Sequence, residues 1–153
     1  QLAAVGHHVG GLAGMDHRDG DHARVDRLLV AADDVLERLH HLAGHGHGVD
    51  AHVRHGAVVI GINANVEHNL LLVLTRMATL TGAEDAAWYR KLLELNFLTT
   101  RTCHFAIDDR RGRVYLRAMR RLDNLAYEEF AELLETVASV AEAVRAQVPE
   151  LTG

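Results

Sequence analysis

The chain has 153 residues, 48% of them hydrophobic and 24% charged, a mixture that builds one globular domain and excludes a wholly disordered chain. A formal net charge of −5 is not the strongly basic balance of a nucleic-acid binder, so no nucleic-acid partner is expected. The single Cys rules out an internal disulfide and fits a reducing, cytoplasmic compartment, and the longest unbroken apolar run, Leu70 to Leu74, falls far short of the roughly 20 residues of a spanning helix, so no membrane partner is expected.

Residues 1–22 mix Gly, His and Asp with no apolar period and are expected to form a flexible tail. The start lacks the basic segment of a signal peptide and does not begin with Met. Residues 1–14 are therefore set aside as a cloning remnant or a cropped leader, and the folded domain is expected over 23–149. A helical period begins at Val25 and continues through Leu28, Leu29, Ala32, Leu36, Leu39 and Ala43, an apolar arc of roughly 100°, with Val35 and Leu42 at its margin. Gly44 is placed to stop this helix.

Two strand-like runs follow, Val49 to Val53 and Ala57 to Ile62, around the turn signal Arg54-His55-Gly56. Asn63-Ala64-Asn65 reads as a second turn, and Val66 to Ala78 as a third strand, since a hairpin needs a sheet partner. A second helix is expected from Ala86 to about Phe97, with Asn96 near a left-handed end. Cys103, Phe105 and Ile107 alternate with His104 and Ala106, a half-buried strand. The turn Asp108 to Gly112 returns the chain into Val114 to Met119. A last helix, about Leu125 to Gln147, carries the stripe Phe130, Leu134, Val137, Ala141, Val144 and Val148, has Glu128 and Glu129 in its first turn, and ends at Pro149. The order is α-β-β-β-α-β-β-α. The fold class expected is α+β, a single five-stranded, mostly antiparallel sheet with three helices.

The run Trp88-Tyr89-Arg90-Lys91-Leu92-Leu93-Glu94-Leu95-Asn96-Phe97, then Phe105-Ala106-Ile107-Asp108, then Gly112-Arg113-Val114-Tyr115-Leu116-Arg117, closing with Leu122, Asn124-Leu125 and Glu128-Glu129-Phe130, resembles the bacterial YbjN family of sensory transduction regulators. With the element order, it is similar to the type III secretion chaperone-like fold. The likeness covers 86–147 closely and 25–80 in element order alone. It implies a non-enzymatic module, a chaperone or regulator, working as a small homodimer that binds a segment of a protein partner. The His-rich first half and the Arg-rich second hairpin depart from the family pattern.

The candidate chemistry is thin. Ten of the 12 histidines lie in residues 1–55. His41 and His45 are spaced i, i+4 with His40 beside them, a spacing that suits a metal on a helix. Gly44, however, stands between them at the expected helix end. The reading favoured is a set of solvated side chains, with no metal and no cofactor assigned, and a metal-binding protein using the histidine-rich half is the alternative. Cys103 beside His104 is no nucleophile–base pair, because strand neighbours point to opposite faces. No catalytic residue is assigned, and no enzyme is expected. Residues 101–121 hold seven arginines against Asp108 and Asp109, and 122–150 hold seven carboxylates against Arg145. Two such blocks are expected to neutralise each other, within the chain or across a dimer, with an acidic-peptide or nucleic-acid patch as the lesser reading.

The second helix carries the strongest signal. Trp88, Leu92 and Leu95 line one side and Tyr89, Leu93 and Phe97 the next, together roughly 200° of arc where about 100° suffices to face one sheet. The surplus is expected to meet a second subunit. Trp88, Leu92, Leu95 and Phe105 are the candidate dimer or partner interface.

Overall fold

The computed structural model of the chain describes residues 33–38, 41, 48–98 and 102–151. The expected tail, residues 1–22, lies outside these, as do Gly44 and the beginning and end of the first helix. Residues 33–38 and 41 are helical and form what is described of α1, which buries Val35 and Leu36. There follow β1 (Val49–His55), β2 (Val58–Asn65), β3 (Leu70–Thr79), α2 (Ala86–Leu98), β4 (His104–Asp108), β5 (Arg113–Arg121), α3 (Tyr127–Gln147) and a short 3-10 turn, Pro149–Leu151.

The strands make one sheet in the order β1-β2-β3-β5-β4, with every pairing antiparallel. The strand period sorts the side chains. Val58, Ile60, Ile62 and Ala64 of β2, Leu71 and Val73 of β3, and Val114, Leu116 and Ala118 of β5 point inward and are fully or almost fully buried. Against them α3 lays Phe130, Leu134, Val137, Ala138, Ala141 and Val144, so the apolar stripe of the last helix is the lid of the core. This is the expected α+β architecture, in the expected order.

Local boundaries differ in instructive ways. Asn63, Ala64 and Asn65 do not turn; they complete β2, with Ala64 inside and both Asn side chains on the other face. The turn comes one step later, at 66–69, where Asn69 takes a left-handed φ of 52°. Asn96 does not cap α2 in a left-handed conformation either. It lies within the helix, and its amide reaches β4, accepting from Phe105 N at 2.6 Å and donating to Phe105 O at 3.3 Å.

Candidate functional site

Two surfaces of this fold expose large apolar side chains. The first is α2. Its entry is tightly organised: Asp85 Oδ1 accepts from Trp88 N at 2.9 Å, the geometry of an N-cap. Just before it, the Glu84 carboxylate accepts from the backbone of Thr81 at 2.7 Å and of Gly82 at 2.9 Å. The Thr81 backbone bond is the main cause that holds the Glu84 carboxyl below its ordinary range. Trp88 Nε1 donates to Glu150 O at 3.2 Å, tying the first turn of α2 to the end of the chain.

These ties fix which side of α2 faces the protein. Leu92 is buried and belongs to the core, Phe105 on β4 is buried too, and Trp88 and Leu95 are half-buried against the core. The row left outside is Tyr89, Leu93 and Phe97, 37%, 69% and 90% exposed. These three residues repeat every four positions, and Arg90 pairs with Glu94 beside them at 3.3 Å. The Trp88 and Tyr89 rings meet edge to face, 5.2 Å apart.

The second surface is the face of the sheet turned away from α3. Here β3 presents Leu70, Leu72 and Leu74, and β5 presents Arg113, Tyr115, Arg117, Met119 and Arg121. Register aligns Leu72 with Met119, Leu74 with Arg117 and Tyr115 with Ala106. One row, His52–Gly61–Leu74–Arg117–His104, crosses all five strands. Arg117 Nε donates to His104 Nε2 at 3.3 Å. An open cleft of about 640 Å³ lies here, floored by Leu72, Leu74 and Tyr115, with Arg110, Arg111 and Arg117 and the carboxylates of Asp50, Asp108 and Asp109 around it.

The period of two also governs the charges. Arg113, Arg117 and Arg121 sit on the outer face of the sheet, whereas the acidic row of α3 lies beyond the opposite face. Among the described residues one ion pair joins the two charge blocks, Arg121 to Asp123 at 2.9 Å. Arg111 pairs inside its own hairpin with Asp108 at 2.8 Å, and its guanidinium keeps the Asp108 carboxyl below its usual range. The expected mutual neutralisation within the chain is therefore confined to one pair. Arg54, Arg76, Arg110, Arg113 and Arg117 have no ion-pair partner among the described residues. In the sequence alone the arginines form one block. The i, i+4, i+8 spacing of Arg113, Arg117 and Arg121 on a strand was the signal that they share one face.

Cys103 is 1% exposed. No group of three or more His, Cys, Asp or Glu arranged to hold a metal ion occurs among the described residues, and His40, His45 and His47 lie outside them. No described helix is long and apolar enough to cross a membrane.

Residues 58–145, more than half of the chain, match the sequence model of the Tir chaperone protein (CesT) family. The chain belongs to the Tir chaperone protein family. Among solved structures it is similar to a chain of the ExsC–ExsE complex, at 20% identity and a TM-score of 0.54 over 76% of this chain and 95% of that one. It is similar to a chain of the heterodimeric ExoU–SpcU complex from the type III secretion system of Pseudomonas aeruginosa, at 14% identity and a TM-score of 0.54 over 70% and 86%. The HopA1–SchA chaperone–effector complex gives 12% identity and a TM-score of 0.53 over 79% and 96%. At these identities the likeness is one of fold, and it includes the type III secretion chaperones that the element order anticipated. No match is found among curated proteins.

Proposed function

We propose that this protein is a non-enzymatic, homodimeric chaperone of the cytoplasm that holds a segment of a protein partner. Family membership supports the chaperone role, and the chaperone–effector complex among the structural neighbours supports a protein as its cargo. A regulator of the kind implied by the YbjN resemblance would use the same surfaces and differ in the partner it captures.

The observation that carries the dimer is the exposed row Tyr89, Leu93, Phe97 on α2. Burying a large side chain contributes roughly 1.5–3 kcal/mol. Three from each of two subunits offset an association cost on the order of 4–15 kcal/mol. In this reading Trp88 and Leu95 form the margin of the contact, while Leu92 and Phe105 belong to the core that holds α2 in position.

Light scattering at micromolar concentration tests the assembly. The wild type is expected to be a dimer and Leu93→Asp a folded monomer, because the carboxylate would be desolvated in the contact. A monomeric wild type, or a Leu93→Asp variant that stays dimeric, would overturn the assembly. For the cargo, a stoichiometric protein partner is expected to co-purify from the native host, and its consistent absence would count against the chaperone role.

A further inference from the structure

His55 ends β1 with its ring turned into the core. The residue is 8% exposed, and its Nδ1 is buried with no hydrogen-bond partner among the described residues. Buried polar atoms are almost always paired, so an unpaired one marks a place where a bond is held in reserve. Across the β1–β2 turn, Glu142 of α3 sets Oε1 3.8 Å from that nitrogen, too far for a hydrogen bond. Its side chain is 40% exposed and passes over Gly56, where the missing Cβ leaves it room. A small swing at the far end of this side chain closes the gap. A neutral ring with its proton on Nε2 offers the carboxylate only a lone pair, whereas a charged ring carries N–H on both nitrogens.

We propose that His55 and Glu142 form a proton-operated latch between the end of β1 and α3. Protonation of the ring draws the carboxylate onto Nδ1 as a charge-assisted bond and pins the turn to the helix, and loss of the proton releases it. Because β1 is an outer strand of the sheet, the latch sets how firmly that edge is held. It works in the range where imidazoles change charge and ordinary carboxylates stay ionised.

The surrounding charges permit this. On α3, Arg145 opposes a charged ring, but its guanidinium donates to Ala57 O at 3.3 Å and to Arg76 O at 3.0 Å and is held there, while Glu142 is free to approach. Arg54 on β1 and Arg76 on β3 are exposed on the other face of the sheet, and β2 has no charged residue. Asp33 of α1 acts on Tyr127, at the start of α3 and about 22 Å along that helix from Glu142. The other charged residues described in α1, Asp34, Glu37, Arg38 and His41, are exposed.

A base whose charged form gains a partner on folding binds its proton more tightly in the native state. The latch therefore stabilises the fold in mild acid and adds nothing once the ring is neutral. The test is a double-mutant cycle of Glu142→Gln and His55→Gln, read as urea midpoints at about pH 5.5 and about pH 8. Glu142→Gln should lower the midpoint at the acid value and leave it nearly unchanged at the alkaline one. In the His55→Gln background its effect in acid should disappear.

A second measurement needs no change at His55. NMR of the ring nitrogens in wild type and in Glu142→Gln follows the titration of the imidazole directly. It should move to lower pH in the variant by at least about half a unit, as expected when an opposite charge is removed from beside it. A ring that titrates at the same pH in both proteins would overturn the latch. So would an effect of Glu142→Gln that is equal at the two pH values, or one that persists in acid without the imidazole.

Discussion

The carboxamide of Asn69 grips Asp123 from both sides: Nδ2 donates to the Asp123 carboxylate at 2.7 Å, and Oδ1 accepts from the Asp123 backbone N at 2.9 Å. Oδ1 also accepts from Leu122 N at 3.0 Å. One side chain in the β2–β3 turn thus closes the path that leaves β5 for α3, and with it sets where the lid of the core begins.

Replacing Asn69 separates two contributions. Asn69→Gly keeps the left-handed φ of 52° accessible and loses the side-chain bonds. Asn69→Ala loses the same bonds and keeps a Cβ in that region, a strain of about 1–2 kcal/mol that the Gly variant does not carry. Both variants should be destabilised in urea, and Ala more than Gly. Equal midpoints for the two would show that the backbone conformation at this turn carries no strain.

The same cluster predicts an acid dependence. The Arg121 guanidinium, and after it the Asn69 amide, hold the Asp123 carboxyl down to about 2 from an ordinary 3.8. A carboxyl lowered by folding contributes stability that is fully present above its unfolded value and is lost as pH falls through its folded value. The stabilising window therefore closes between about pH 4 and pH 2. Asp108 and Glu84 are lowered as well and act in the same direction. Urea midpoints of wild type and Asp123→Asn should differ at pH 6 and converge toward pH 2. A difference that stays constant across this range would mean that the ion pair does not persist in solution.

The inward rows are legible in the residue pattern itself. Phe105 on β4 and the stripe from Phe130 to Val144 on α3 show their periods directly, and all are buried. What the sequence could not show depends on partners far along the chain. The turn at 66–69 is defined by Asn69, whose partner Asp123 is 54 positions away. The apolar arc of α2 is symmetric in character, so periodicity alone does not say which half faces the core. Trp88 bonding to Glu150 O, and Asn96 to Phe105, turn the helix so that Leu92 goes in and Leu93 stays out. The cleft was hidden for a related reason: Leu72 and Tyr115 lie on different strands, and pairing alone brings them to one face.

Asn96 predicts how the sheet edge is protected. β4 ends the strand order, so the outward N–H and C=O of Phe105 would form an open pairing edge. The Asn96 amide takes both groups, standing in for a neighbouring strand. Asn96→Ala leaves two half-buried backbone groups without this partner, at a cost of roughly 1–3 kcal/mol. Its unfolding midpoint should fall accordingly, and faster hydrogen exchange should concentrate at Phe105. An unchanged exchange rate there would show that the amide is not what shields the edge.

Gly56 predicts a second, separable cost at the β1–β2 turn. Its φ is 58°, and a Cβ added there would stand 2.7 Å from Glu142 Oε1 on α3. The same oxygen lies 3.8 Å from His55 Nδ1, a buried nitrogen with no hydrogen-bond partner. The glycine therefore lets the Glu142 side chain lie over the turn, beside the imidazole. Gly56→Ala should cost about 1–2 kcal/mol through the backbone alone, since a left-handed φ is unfavourable for any residue with a Cβ. The clash adds less, because Glu142 can swing away at the far end of a flexible side chain. A double-mutant comparison separates the two effects. In a Glu142→Ala background most of the penalty of Gly56→Ala should remain, because removing the carboxylate relieves the contact and leaves the φ. A penalty that vanishes in that background would place the whole cost in the approach of Glu142 to the turn.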